Sequence, residues 1–384
     1  MTEPQSRSPV RRRVLLGVLG ALIVVGAAVP LLRTRPDPLP PDAERPTAEQ
    51  FDSRSWLGSV EFADAQHGYA LRGNCFEDVR SPCPIELMVT EDGEHWRARE
   101  APVRKANGRP TAIDRLWVLG SQEVVVGESY PTPGLQRWYS GDGGLTWRAV
   151  PSVVRGSVPD VPPGGVLDVV CPQPLTEAFQ CAAATPVVTL PGTGELAELT
   201  GRPPLELKNP RRVPATADGN LWMSGLVPGT GRWAVAVSAD AGRTWSVAEL
   251  PDQGQLPVTS VEVSVGGDTV FAIARHEIGT LRAIYASTDG GRSWRLTRRS
   301  GDGRQPVTIA GEAIATADGL LIINTTPDAA FSSRDQGTSF QPAVTPGIAR
   351  WTRTGYVVGP AGSPEVFRMS WNGLDWRKLT ITGS

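Results

Sequence analysis

Five aspartates recur along the chain at intervals that invite carboxylate chemistry: Asp92, Asp142, Asp240, Asp289 and Asp335. Paired carboxylates serve as acid, base and nucleophile in glycoside hydrolysis, where the two groups must stand within several ångströms of each other. The intervals are 50, 98, 49 and 46 positions. A period of roughly 20 to 50 residues marks a solenoid, propeller or array whose units bury their apolar faces against one another. The interval of 98 is then two periods with one copy missing. One carboxylate per unit is carried away from the next by the repeat itself, so the five predict structural turns and no shared catalytic centre.

Other reactive residues form no recognisable constellation. His67, His95 and His276 make no ligand series, and Cys75 with Cys83 and Cys171 with Cys181 miss the short spacing of zinc sites. The acidic stretch from Asp160 to Asp168 lacks the oxygen-ligand spacing of a calcium loop and reads as an ordinary loop. There is no G-x-S-x-G elbow, no phosphate-binding loop and no H-E-x-x-H helix. A net charge of −2, with basic clusters only at Arg11–Arg13, Arg211-Arg212 and Arg298-Arg299, speaks against nucleic acid as a partner. No catalytic residue, metal ligand or cofactor site is assigned.

The aspartates sit in a recurring phrase, cleanest as Ser140-Gly-Asp142-Gly-Gly144-Leu-Thr146-Trp147. Close copies are Ser238, Asp240, Gly242 and Trp245; Ser287, Asp289, Gly291 and Trp294; and Ser333, Asp335, Gly337 and Phe340. Looser ones hold Asp92 with Trp96, and Asn372 with Trp376, where Asn replaces Asp. Before each copy runs an alternating apolar stretch such as Arg232–Val237 or Leu281–Ala286, and after it a short run such as Trp147–Val150. A period of two rich in β-branched and aromatic residues predicts strands. The phrase therefore fills a hairpin turn: Gly supplies positive φ, Asp and Ser bond the turn's own amides, and Trp covers the hairpin.

These residues resemble the Asp-box or BNR repeat, S-x-D-x-G-x-[ST]-W, which lies between the third and fourth strands of propeller blades in sialidases, sortilin-like ectodomains and photosystem assembly-factor propellers. The segment Val60–Ala70 also resembles the opening of a blade in the last of these. The resemblance implies an all-β, seven-bladed propeller over 55–384. The blades would be Trp56–Glu100, Ile113–Val150, 165–200, Val213–Leu250, Val261–Leu296, Val307–Ala343 and Ile348–Leu379. The third is degenerate: strands are expected at Gly165–Val170, Gln180–Ala184 and Val187–Leu190, with Pro191–Gly194 where the missing turn is due. Six blades is the alternative if 165–200 is an insertion. Long connections at Arg99–Ala112, Pro151–Gly165, Gly201–Val213 and Arg298–Pro306 are where a rigid scaffold would carry binding.

Residues 1–13 read as a basic cytoplasmic tail and 14–32 as a transmembrane helix. Its 19 uncharged residues span about 28 Å. Arg7 and Arg11–Arg13 before it, against Arg33 and Arg35 after it, favour a cytoplasmic N-terminus. A cleaved signal peptide is the alternative, with Val25–Ala28 offering small residues. Residues 33–54 form a Pro-rich linker. The propeller is thus expected outside the cytoplasm on a single-pass anchor, where Cys75–Cys83 and Cys171–Cys181 would form disulfides.

A sialidase-like activity would need an R-I-P motif, two further substrate-gripping arginines, a Tyr nucleophile with its Glu, and an acid/base Asp. No R-I-P occurs, and Arg109-Pro110 lacks the Ile. Tyr69, Tyr139 and Tyr285 stand in strand patterns where packing accounts for them. The expected function is a membrane-tethered, non-enzymatic binding or assembly module for an envelope protein or glycan. An extracellular sialidase-like glycoside hydrolase is the alternative.

Overall fold

The computed structural model describes residues 55–74, 85–102, 113–128, 136–171, 183–208, 219–254, 257–276, 279–301, 304–359 and 365–382. The tail, apolar run and linker expected at 1–54 lie outside these, as do Cys75, Cys83 and Cys181. Cys171 is disulfide-bonded. Among the described residues no helix is long and apolar enough to cross a membrane.

Seven sheets follow one another along the chain. Blade one holds β1 (Ser55–Phe62), β2 (Gly68–Asn74), β3 (Ile85–Thr90) and β4 (Trp96–Glu100). Blade two holds β5 (Ile113–Val118), β6 (Val124–Glu128), β7 (Arg137–Ser140) and β8 (Arg148–Val150). Blade three is built from β9 (Val154–Val158), β10 (Val166–Val170), β11 (Thr185–Thr189) and β12 (Leu196–Leu199). Three strands of blade four are described: β13 (Leu221–Leu226), β14 (Trp233–Ser238) and β15 (Ser246–Glu249). Blade five is β16 (Ser260–Gly266), β17 (Thr269–His276), β18 (Thr280–Ser287) and β19 (Arg295–Arg299). Blade six is β20 (Ile314–Ala315), β21 (Leu321–Thr326), β22 (Ala329–Ser333) and β23 (Gln341–Ala343). Blade seven is β24 (Ala349–Thr352), β25 (Gly355–Val358), β26 (Val366–Ser370) and β27 (Arg377–Thr380). Seven blades, not six, make the ring.

The core lies between blades. Tyr69, Leu71 and Leu87 of blade one meet Leu116, Val118 and Val126 of blade two, and equivalent clusters follow around the ring. Both faces of an interior blade are therefore covered, which suits runs such as Thr269–His276, buried along nearly their whole length. Blades one and seven each come from one continuous stretch of chain, so no shared strand closes the ring. Closure is by packing: Val60, Phe62, Met88 and Trp96 against Val357, Phe367, Met369 and Leu379.

Blade three departs from the sequence expectation. Its strand order is β10-β11-β12-β9, and β9 pairs with β12 in parallel. The stretch Pro151–Gly165, expected to be a loop, thus supplies the outer strand. The second and third strands are Thr185–Thr189 and Leu196–Leu199, while Ala184 only bridges Leu207. Gly164, just before β10, lies against the Leu119 carbonyl, just past β5. Asp168 on β10 takes hydrogen bonds from Arg115 and Trp117 on β5. β10 therefore starts where β5 finishes and runs the opposite way. With the blade inverted and its outer strand parallel, no hairpin joins third strand to fourth, which is why one copy of the repeat is missing. Pro191–Gly194 instead joins β11 to β12, and docks on blade two through Arg148, which donates to the Thr193 carbonyl at 2.6 Å.

Candidate functional site

The repeat turns consume their own chemistry. In blade two, Asp142 Oδ1 accepts the Leu145 and Thr146 amides at 3.0 and 2.9 Å, and Oδ2 accepts the Thr146 hydroxyl at 2.6 Å. Ser140 Oγ donates to Asp142 and accepts the Gly144 amide at 2.7 Å; Gly144 has φ +93, a region that favours glycine. The same 2.6 Å hydroxyl contact recurs from Thr244 to Asp240, Ser293 to Asp289 and Ser339 to Asp335. The Thr146 hydroxyl and amide hold the Asp142 carboxyl down to about 2, and those of Thr244 do the same for Asp240. At Asp335 burial works in the opposite direction, but the Ser339 hydroxyl and amide prevail and the carboxyl is again lowered to about 2. The glycine that follows the turn aspartate by two packs on the preceding blade, Gly144 on Leu87 and Gly337 on Ile284. The five aspartates therefore stand one per blade and are not brought together.

Their folded-state values lie below the unfolded value of 3.8. The stability they contribute is present above that value and lost as pH falls through the lower one. Acid unfolding followed by fluorescence is expected to steepen between about pH 4 and pH 2. Thr146→Val, which removes the hydroxyl donor on Asp142, brings its folded-state value back towards 3.8 and so shrinks that acid-dependent loss.

Two turns use other donors. In blade one His95 Nδ1 lies 2.7 Å from Asp92 Oδ2, replacing the hydroxyl; the Asp92 hydrogen bond raises the imidazole above its usual value. In blade seven polarity is reversed. Asp375 can only accept, and Asn372 provides the donor, Nδ2 to Asp375 Oδ2 at 2.8 Å. The substitution of Asn for Asp is therefore paired with that of Asp for Ser or Thr. Asn372→Asp is expected to cost about 1 kcal/mol by denaturant titration, and a second change, Asp375→Thr, to recover it.

The turn aromatics divide by position. Trp96 and Trp294 are buried, whereas Trp147, Trp245, Phe340 and Trp376 are only partly covered. Trp147 Nε1 donates to the Glu100 carbonyl and Trp245 Nε1 to that of Gly201, so these rings also tie their turns to the preceding blade.

Charged groups that sequence reasoning passed over link one blade to the next. Glu262 on β16 pairs with Arg275 and accepts the Ala313 amide of blade six at 2.7 Å. Glu312 accepts the Trp351 amide of blade seven, and Glu61 the Arg353 amide at 3.3 Å. The signal was present in Val261-Glu-Val-Ser-Val265, an acidic residue inside an apolar strand. Between blades two and three, Arg115 and Arg137 flank the Trp117 ring at 5.1 and 4.7 Å. Burial draws Arg137 down to about 10 despite nearby Asp168. Arg353 joins four blades: its guanidinium donates to the Val118 and Gly164 carbonyls at 2.9 and 3.5 Å, and its amide to Glu61. The β5–β6 turn beside it also accepts the Gly143 amide, which places Arg353 on the repeat-turn face.

The described tyrosines serve packing. Tyr69 is fully buried, donates to the Ser121 carbonyl at 2.6 Å, and is pushed by burial to about 12. Tyr356 bonds Ala315 and stands beside Ser264 of a third blade, and burial raises Tyr139, Tyr285 and Tyr356 as well. Tyr130 lies outside the described residues. The strand ends flanking 75–84, 103–112, 129–135, 172–182, 255–256, 277–278, 302–303 and 360–364 all fall on the face opposite the repeat turns.

No protein-family model matches the chain, and no curated protein does. Among solved structures it is similar to YCF48 bound to D1 peptide, at 14% identity over 83% of this chain and 91% of that chain, with a TM-score of 0.44. YCF48 from Cyanidioschyzon merolae is similar at 13% identity over 85% and 96%, with a TM-score of 0.44. The Hadza microbial sialidase Hz136 is similar at 14% identity over 85% of this chain and 66% of that one, with a TM-score of 0.38.

Proposed function

We propose that this chain is a membrane-tethered propeller on the extracytoplasmic side that binds an envelope protein or glycan without catalysing a reaction. The observation that carries this reading is the engagement of the groups a sialidase-type site would use. The described tyrosines are buried with raised hydroxyls, and the repeat aspartates are bonded within their own turns. Binding is assigned to the face opposite Arg353, where the strand ends that flank the longer connections lie. The tether is residues 14–32, and the turns are read as Asp-boxes. Cys75–Cys83 and Cys171–Cys181 are the disulfides, so mass analysis without reduction is expected to find no free thiol.

The test is crosslinking of the tagged protein in its native membrane followed by mass spectrometry. One recurrent envelope partner, lost when charge-reversing changes are made on the face opposite Arg353 but kept when they are made on the repeat-turn face, supports the reading. Turnover of a fluorogenic sialoside by the purified ectodomain overturns it in favour of the glycoside hydrolase.

A further inference from the structure

The inverted turn of blade seven holds the one Asn-Gly step among the described residues, Asn372-Gly373. Three features of its surroundings bear on the chemistry open to such a step. The Asn372 Oδ1 atom receives the Leu374 and Asp375 amides at 2.9 Å each and the Ser370 hydroxyl at 3.1 Å. Donors gathered on a carbonyl oxygen stabilise the negative charge that develops there when its carbon is attacked. Asp375 Oδ2 lies 2.8 Å from the Asn372 amide nitrogen, within reach for proton transfer. The neighbouring nucleophile is not engaged by a hydrogen bond. In the other short turn the Gly93 amide is held by Thr90 Oγ1 at 2.9 Å, whereas no acceptor for the Gly373 amide is found among the described residues.

We propose that Asn372 is a self-modifying residue, converted to aspartate and isoaspartate through a cyclic imide with Asp375 as proton carrier. The Gly373 nitrogen bonds to Asn372 Cγ, and its proton passes to the Asp375 carboxylate. The bond from Cγ to Nδ2 breaks, and Nδ2 takes that proton and leaves as ammonia. Water then opens the imide, at Cγ to give aspartate or at the main-chain carbonyl to give isoaspartate. One water enters and one ammonia leaves; nothing is oxidised or reduced.

The product is not equivalent to the other turns. A carboxylate at 372 faces that of Asp375 with the donor gone. Isoaspartate also lengthens the backbone at a point where the Asn372 carbonyl accepts the Ala317 amide of blade six at 2.8 Å, and where Gly373 lies close against Ile314 and Thr316. Conversion therefore loosens blade seven from blade six in one direction only, next to the seam that closes the ring.

The test is to hold the purified protein at mildly alkaline pH and count aspartate and isoaspartate at position 372 by peptide mass spectrometry. Asn107-Gly108 in the same chain serves as an internal reference. Asn372 is expected to convert in the parent, and about tenfold more slowly in Asp375→Asn and Asp375→Ala, while Asn107 keeps its rate. If Asp375 were only a clamp on the turn, removing it would free the loop and speed conversion. An unchanged or faster rate at 372 in both variants, or an intact Asn372 while Asn107 converts, overturns the proposal.

Discussion

Glu262→Ala is expected to lower stability by about 3–5 kcal/mol, because it removes the carboxylate that pairs with the Arg275 guanidinium in the interior. Arg275 and Glu262 are 2% and 7% exposed, so water cannot replace the lost partner. The carboxylate also accepts the Ala313 amide, and the guanidinium also donates to the Gly311 carbonyl at 2.9 Å. One substitution therefore breaks a contact inside blade five and a link to blade six. Denaturant titration with an unchanged slope measures the loss. The double change Glu262→Leu with Arg275→Met is expected to be milder than Glu262→Ala alone, since an apolar pair removes both charges together. It does not restore full stability, because the Ala313 amide stays unpaired at a cost of about 1–3 kcal/mol. A single change costing under about 1 kcal/mol would show that the pair is hydrated.

Trp96→Ala is expected to cost about 3–5 kcal/mol, the range for emptying a large aromatic site in a core. Its ring is 2% exposed and meets Phe62 edge-on, with centroids 5.9 Å apart at 84°. It stands in the cluster that joins blade one to blade seven, where no shared strand assists. The sequence treats Trp96 and Trp147 as equivalents in the same phrase, yet Trp147 is only partly buried. Trp147→Ala is therefore expected to cost about 1 kcal/mol, in the ordinary range for a half-exposed site. Equal losses at the two positions would mean that the seam does not bear on overall stability. A parallel titration of the two variants decides this.

The amino-acid sequence by itself determined the repeat and the chemistry of its turns. An aspartate that bonds the amides of residues two to four positions ahead needs nothing from elsewhere in the chain. The number of units follows from counting such turns and allowing for one gap. His95 and the Asn372–Asp375 reversal were visible as letters, but their meaning needed the donor geometry. Tertiary structure alone decided the rest. Apolar alternation with a period of two reads the same in both directions along a strand, so nothing local could disclose that β10 runs opposite to β5 or that β9 is a strand of blade three. Nor could spacing show that Asp168 bonds Trp117 across 51 positions, or that Arg353 reaches Val118 across 235 and Glu61 across 292. Those partners are set when the ring closes, because a buried charge must take whichever donor or acceptor the neighbouring blades bring to it.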